Sequence, residues 1–159
     1  MSYTTINKSK DYFNTKLYTG TGSATSITGV GFQPDWVWIK KRNGATGHTL
    51  TDSVRGVNKQ LFTNEAEAEE SYTSVLTAFD SDGFSLSTAG LINASSDTYA
   101  SWNWKANGAG SANTDGSINS TVSANTTSGF SIVTYSGNGS AGATIGHGLG
   151  SVPKMIIVK

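Results

Sequence analysis

An internal repeat constrains the fold of this 159-residue chain more than any other feature of its sequence. The order of aromatic, glycine and serine positions in the first copy recurs 117 residues later. The matches are Phe13 with Phe130, Tyr18 with Tyr135, Gly20 with Gly137, Gly22 with Gly139, and Ser23 with Ser140. A two-residue insertion then shifts the offset to 119, at which Gly29, Gly31, Pro34, Val37, Ile39 and Lys40 match Gly148, Gly150, Pro153, Ile156, Val158 and Lys159. Such self-similarity indicates one structural unit used twice.

The repeat predicts a domain organisation of one full unit followed by the start of another. We expect an N-terminal arm or docking segment at residues 1–11, a repeat unit at 12–105, a linker rich in Gly, Ala, Asn and Ser at 106–117, and a partial second unit at 118–159. Two or three strands cannot close a sandwich alone. We therefore expect that the natural chain continues past Lys159 or that residues 118–159 close the first unit.

The chain is predicted to be almost entirely β-strand. Large and small side chains alternate with period two in "DWVWIKK" and "TYASWNWKA", and "SVLTAFDSDGFSLS" is typical of a hairpin with Asp and Gly in its turn. The acidic stretch 64–72 is the one helical candidate, but it lacks an apolar stripe and is predicted to be an exposed loop. These patterns predict an all-β fold, an antiparallel β-sandwich or jelly-roll-like repeat unit.

The charge balance and the absence of cysteine limit the kinds of partner and binding site that this chain is expected to have. Eleven basic and eleven acidic residues balance, so no field of either sign favours nucleic acid or an anionic membrane as a partner. The chain has no cysteine, which excludes disulfides and cysteine metal sites. A neutral surface rich in Ser, Thr and Asn is typical of a protein that packs against other proteins or meets glycans.

Two Trp-x-Trp pairs are the strongest candidates for a binding surface. Period two places Trp36 with Trp38, and Trp102 with Trp104, on one face of each strand. Exposed tryptophan or tyrosine rings stack on sugars, so Trp36, Trp38 and Tyr99 are the candidate receptor or glycan contacts. The alternative is that the four tryptophans form the sandwich core or cross-strand aromatic packing within it.

No pattern in the sequence assembles a catalytic or metal site. Asp80 and Asp82 offer oxygen ligands, but a plain hairpin turn explains them, and the glutamates of the acidic stretch fit a solvated loop. The two histidines, His48 and His147, lie in no metal-binding motif, and Asp52 with Arg55 indicates a structural ion pair. We therefore expect no enzyme, no metal and no cofactor.

The longest motifs resemble a known kind of repeat. "YTGTGSATSITGVGFQPDWVWIKKRNG", "FDSDGFSL", "TYASWNWKA" and "SIVTYSGNGSAGATIGHGLGSVPKMIIVK" resemble the sandwich repeat domain of marine bacteriophage virion appendage proteins, which are tail-fibre-like structural proteins. The resemblance implies a non-enzymatic component of an extracellular virion that takes part in host attachment. It implies contacts with other virion proteins and with copies of itself, as a trimer, and with a host surface glycan or protein. A capsid decoration protein and a carbohydrate-binding module are the alternatives.

Overall fold

Three antiparallel sheets contain the strands of the protein, whose structure is a computed structural model that describes residues 6–73 and 75–159. The strands are β1 Phe13–Thr19, β2 Thr25–Thr28, β3 Trp36–Lys41, β4 Thr49–Asp52, β5 Lys59–Phe62, β6 Glu70–Ser71, β7 Leu76–Asp80, β8 Gly83–Leu86, β9 Thr98–Trp104, β10 Ser111–Asn113, β11 Ser120–Asn125 and β12 Phe130–Tyr135. One short helix, α1, spans Gly90–Asn93, and a 3-10 turn spans Ser9–Asp11. The predicted all-β, antiparallel sandwich class is confirmed. Of the predicted arm, residues 1–5 lie outside the described residues.

The first repeat unit forms two of the sheets. The large sheet has the order β1-β9-β3-β4-β5-β6, and the small sheet has the order β2-β8-β7. The chain leaves the large sheet after β1, returns for β3 to β6, leaves again for the β7–β8 hairpin, and comes back through α1 to β9. The strand β9 therefore lies between β1 and β3, which do not pair with each other.

The main hydrophobic core joins the large sheet to the small sheet and α1. Its buried members are Val37, Ile39, Val75, Leu76, Phe84, Leu86, Ile92 and Tyr99. Tyr99 stacks on Tyr18, its cross-strand partner, with ring centroids 5.1 Å apart. The Tyr18 hydroxyl donates to the Ile92 carbonyl at 2.7 Å, and burial together with the neighbouring Tyr99 raises the pKa of Tyr18 far above its ordinary value. Side chains alternate between the two faces along β9, so Ser101 and Asn103 point inward with Tyr99, and all three are buried.

The β7–β8 hairpin forms where the sequence predicts it, and its turn holds the neighbouring segment. Gly83 has φ of +155°, and a Cβ there would lie 1.9 Å from the Ile27 carbonyl oxygen, so this position requires glycine. The Asp82 carboxylate accepts the backbone N–H groups of Gly29 at 2.9 Å and Gly31 at 2.6 Å. These hydrogen bonds lower the pKa of Asp82. The turn thus ties the hairpin to the loop between β2 and β3.

The segment 106–117, predicted as a linker, is held in place at residues 106–108 and contains the strand β10. Asp35, 2% exposed, accepts the N–H of Ala106 at 2.7 Å and that of Gly108 at 3.2 Å. The Gly108 carbonyl also accepts the Ser53 hydroxyl at 2.6 Å, and β10 follows at residues 111–113. A buried carboxylate supplies the acceptors that a solvated linker would find in water. The third sheet, in the order β10-β11-β12, then follows directly.

Candidate functional site

The four tryptophans lie on the outer face of the large sheet, opposite the main core. Cross-strand registers align them in two rungs across β1, β9 and β3. The first rung is Phe13, Trp104 and Trp36, and the second is Thr15, Trp102 and Trp38. We call these four tryptophans the aromatic row. The tryptophans make cross-strand aromatic contacts, and they lie on the face opposite Val37, Ile39 and Tyr99 of the main core.

One end of the aromatic row is covered by the second repeat unit. Phe130, at the start of β12, meets Trp36 edge-on with centroids 5.9 Å apart and stacks on Trp104 at 6.0 Å. Phe13 packs against Trp104 from the other side at 4.6 Å. Aromatic contacts of this kind add stability beyond the area they bury, about 0.5–1.5 kcal/mol per pair. We call this the closed end of the row.

The other end of the row carries partly exposed apolar side chains. Trp38 and Trp102 are tilted against each other with centroids 5.6 Å apart, and His48 lies 6.2 Å from Trp38. The next rung continues with Leu17, which is 61% exposed, and Lys40, on either side of Ala100. We call Trp38, Trp102, His48, Leu17 and Lys40 the open end. It offers ring surface and aliphatic surface without covering from β12.

The open end carries few polar groups. The Lys40 ammonium donates to the carbonyls of Lys41 at 2.7 Å and Gly44 at 3.0 Å. The Trp38 indole N–H is buried and has no hydrogen-bond partner within residues 6–73 and 75–159. The open end is therefore a surface for stacking and apolar contact, with little directional hydrogen bonding.

The three residues predicted to contact a receptor or glycan lie in different places. Trp36 and Trp38 are both partly exposed, and Trp36 also contacts Phe130 at the closed end. The prediction for Tyr99 as a surface contact is corrected, because its side chain is fully buried. Its hydroxyl donates to the Gly90 carbonyl at 3.1 Å and accepts the Ala94 N–H at 3.0 Å. These partners satisfy the polar end of the ring, so burial costs little.

The acidic candidates hold protein groups. The Asp80 carboxylate accepts the Ser85 hydroxyl at 2.7 Å, and Asp82 caps the loop described above. The predicted ion pair is present: the Arg55 Nε donates to the Asp52 carboxylate at 2.7 Å, and a terminal guanidinium nitrogen lies 2.6 Å from the same carboxylate. In the described part of the chain, no three His, Cys, Asp or Glu side chains are grouped as metal ligands.

Two residues important to the arrangement were missed by sequence reasoning. Asp35 follows Pro34, and that dipeptide is typical of a turn, so nothing marks its carboxylate as a buried anchor for residues 106–108. The sequence pairs Phe130 with Phe13 in the repeat but gives it no role at the site, and that match is the signal from which its place beside the tryptophans could have been inferred. Its contact with the first unit depends on how the third sheet is placed, which local periodicity does not encode.

Within the described residues, no helix is long and apolar enough to cross a membrane.

Comparison with known families gives one match, over residues 8–159, to a family described as "Domain of unknown function (DUF7483)". No curated protein and no solved structure matches the chain. The matched residues include both repeat copies, the aromatic row and the Asp35 anchor. The chain therefore belongs to the DUF7483 family.

Proposed function

We propose that this chain is a non-enzymatic structural module of a bacteriophage virion, part of a tail-fibre-like appendage that takes part in host attachment. The support from sequence is the resemblance of its motifs to such repeats. The support from structure is the way in which its two repeat copies are joined.

The observation that carries the proposal is that the second repeat copy is packed onto the first. Phe130 lies on Trp36 and Trp104, while the Asp35 carboxylate binds the backbone of Ala106 and Gly108. Asn107 adds an N–H bond to the Ser123 hydroxyl at 2.8 Å, so the connecting segment is bonded to both units. Units that meet through aromatic and buried polar contacts transmit force and keep a fixed direction, as an appendage requires. A flexible tether between them would do neither.

Quantitative mass spectrometry of fractionated particles tests this proposal. Particles of the phage that encodes the chain are separated into tails and shells, and its copy number is measured in each fraction. We expect copies in multiples of three with the tail, because the resemblance to tail-fibre-like proteins implies a trimer. Copies that follow the capsid lattice would support a capsid decoration protein instead. Absence of the chain from particles would refute both.

A second candidate function is carbohydrate binding at the open end. The specific observation is that Trp38 and Trp102 are partly exposed beside Leu17, outside the area covered by Phe130. Ring faces of this kind stack on the apolar faces of sugars, a contact that needs few hydrogen bonds. This function is compatible with an appendage that meets a host surface glycan.

Binding to host surface polysaccharide distinguishes this candidate from a purely structural role. The test compares the unaltered chain with Trp38→Ala, and uses Phe13→Ala as the matched control, since Phe13 is a partly exposed ring at the closed end of the same face. We expect at least a tenfold loss of affinity for Trp38→Ala and little change for the control. Equal losses in both variants, or no binding by the unaltered chain, would refute glycan recognition at the open end.

A further inference from the structure

The strands β1, β3 and β9 contain no acidic residue, although the chain as a whole is neutral. Residues 13–19, 36–41 and 98–104 include lysines but neither Asp nor Glu, and all eleven acidic residues lie in other segments. One of these lysines, Lys40, lies on the face that carries the tryptophans. This face therefore has a local positive charge that the overall charge balance does not reveal.

Arg42 adds a second positive charge to the same face. Its backbone N–H donates to the Thr98 carbonyl at 2.7 Å, which extends the ladder between β3 and β9 by one residue beyond Lys41. Because side chains alternate along an extended strand, Arg42 follows Trp38 and Lys40 on one face. The Arg42 side chain is exposed, and it forms no ion pair within residues 6–73 and 75–159.

The turn that follows β3 is held firmly against the start of β9. The Asn43 amide donates to the Asp97 carboxylate at 3.1 Å, and its side-chain carbonyl accepts the Thr98 N–H at 3.0 Å. Lys41 forms an ion pair with the same carboxylate and neutralises it. Lys40, in contrast, donates to backbone carbonyls, so its charge stays uncompensated and its ammonium keeps a third N–H.

The acidic loop lies on the other side of the open end. Glu65 follows β5, and its carboxylate lies 3.1 Å from the place that a Cβ on Gly47 would take. In the sheet order, β4 and β5 lie on one side of β3, and β9 and β1 lie on the other. A negatively charged ligand is therefore directed along β3 and β9, towards Lys40 and Arg42.

The two basic residues lie in line with the stacking surface. A strand advances about 3.4 Å per residue, so the Cα atoms of Lys40 and Arg42 are about 7 Å and about 14 Å from that of Trp38. A polymer that stacks one ring on Trp38 and Trp102 can thus bring charged groups on its neighbouring units beside Lys40 and Arg42.

We propose that the open end, extended along β3 to Arg42, binds an acidic polysaccharide built from uronic acids. Trp38 and Trp102 stack on a sugar ring, the Arg42 guanidinium binds a carboxylate through two parallel hydrogen bonds, and Lys40 adds a point charge. Two uncompensated cations are too few for a nucleic-acid backbone, which is neutralised at many phosphates. The inference rests on the second candidate function, carbohydrate binding, and adds the chemical class of the sugar.

The experiment measures binding of the purified full chain to polygalacturonate, a polymer of one uronic acid, and to its methyl ester. The ester keeps the sugar rings and removes their charge, so the two polymers form a matched pair. We expect the acid form to bind at least about tenfold more tightly than the ester. We also expect this preference to shrink as the salt concentration rises.

Variants of exposed basic residues locate the charge recognition. Arg42→Gln removes the charge of Arg42, and Lys10→Gln is the matched control, since Lys10 is an exposed basic residue in the 3-10 turn outside the three strands. Arg42→Gln is expected to weaken binding of the acid form at least about threefold and to leave binding of the ester unchanged. The control should alter neither, and circular dichroism confirms that each variant is folded.

Three results would overturn the inference. Equal affinity for the two polymers would exclude charge recognition and leave carbohydrate binding intact. Equal losses in Arg42→Gln and Lys10→Gln, or equal affinity for single-stranded DNA, would mean general attraction of polyanions. No binding of either polymer would overturn the inference alone if the host surface polysaccharide binds, and would refute carbohydrate binding as well if that polysaccharide also fails to bind.

Discussion

Replacing Asp35 by alanine tests whether a buried carboxylate holds the two repeat copies together. The carboxylate accepts two backbone N–H groups of the connecting segment, and Ala106, one of the two donors, is 4% exposed. In Asp35→Ala, the Ala106 N–H stays buried without an acceptor, which costs about 1–3 kcal/mol. The half-exposed Gly108 N–H can bond to water when the carboxylate is removed, so its cost is smaller. The expected loss in the free energy of unfolding is therefore about 2–4 kcal/mol.

Urea unfolding followed by tryptophan fluorescence measures this loss, because all four tryptophans lie on the face that the second unit touches. Asp115→Ala is the matched control: Asp115 is exposed, and its carboxylate accepts the Asn113 side-chain amide at 3.2 Å. The control should lose less than about 0.5 kcal/mol. Amide exchange at Ala106 should accelerate in Asp35→Ala alone.

An Asp35→Ala variant that lost no more stability than Asp115→Ala, with amide exchange at Ala106 unchanged, would contradict this prediction. That result would mean that the segment is held by other contacts, or that water reaches the Ala106 N–H. Asp35→Asn refines the test, because the amide keeps one acceptor oxygen and places an NH₂ group near a donor. It should fall between the unaltered chain and Asp35→Ala.

Three further predictions follow from single contacts. Phe130→Ala should lower the free energy of unfolding by about 1–3 kcal/mol, because it removes a partly buried ring from the closed end. Tyr135→Ala, in the same strand, should lower it by under about 0.5 kcal/mol. Gly83→Ala should lower the free energy of unfolding by at least about 3 kcal/mol, because the new Cβ clashes with the Ile27 backbone and the residue has a positive φ. Gly137→Ala should not destabilise the protein in this way, because a Cβ there would lie in open space. Hydrogen bonds lower the pKa of Asp82, so its carboxylate stabilises the folded state at pH values above the ordinary Asp pKa. That stabilisation is lost as the pH falls through the lowered pKa. The difference in unfolding free energy between the unaltered chain and Asp82→Ala should therefore shrink at acid pH.

Each of these has a result that would contradict it, measured by urea unfolding. Equal effects of Phe130→Ala and Tyr135→Ala would mean that the closed end contributes nothing to stability. A Gly83→Ala variant as stable as Gly137→Ala would show that the hairpin can move away from β2. A stability difference for Asp82→Ala that stays constant from neutral to acid pH would show that its carboxylate does not favour the folded state.

The alternation of side chains along β9 was predictable, but not which face would be buried. The sequence places Tyr99, Ser101 and Asn103 on one face and two tryptophans on the other, and large apolar rings are expected inside. The structure buries the first face, because Phe84 and Leu86 from the small sheet fill the space above it and α1 supplies partners for the Tyr99 hydroxyl. Phe84 and Leu86 belong to a different sheet from β9, so their packing on it leaves no pattern within the β9 sequence.

The hairpin and the ion pair were predictable for the opposite reason, since their partners are close in sequence. The turn at Asp82 and Gly83 follows local turn chemistry, and Asp52 lies three residues from Arg55. Asp35 and Ala106 lie 71 residues apart, and the segment around Ala106 has the composition of a linker. The joint between the repeat copies was therefore visible only in three dimensions.

An image reconstruction of the intact virion tests the proposed function most directly. We expect density for this chain in a tail appendage, in copies that are a multiple of three, with the third sheet in contact with the closed end of the aromatic row. Density spread over the shell, or a particle without this chain, would contradict it.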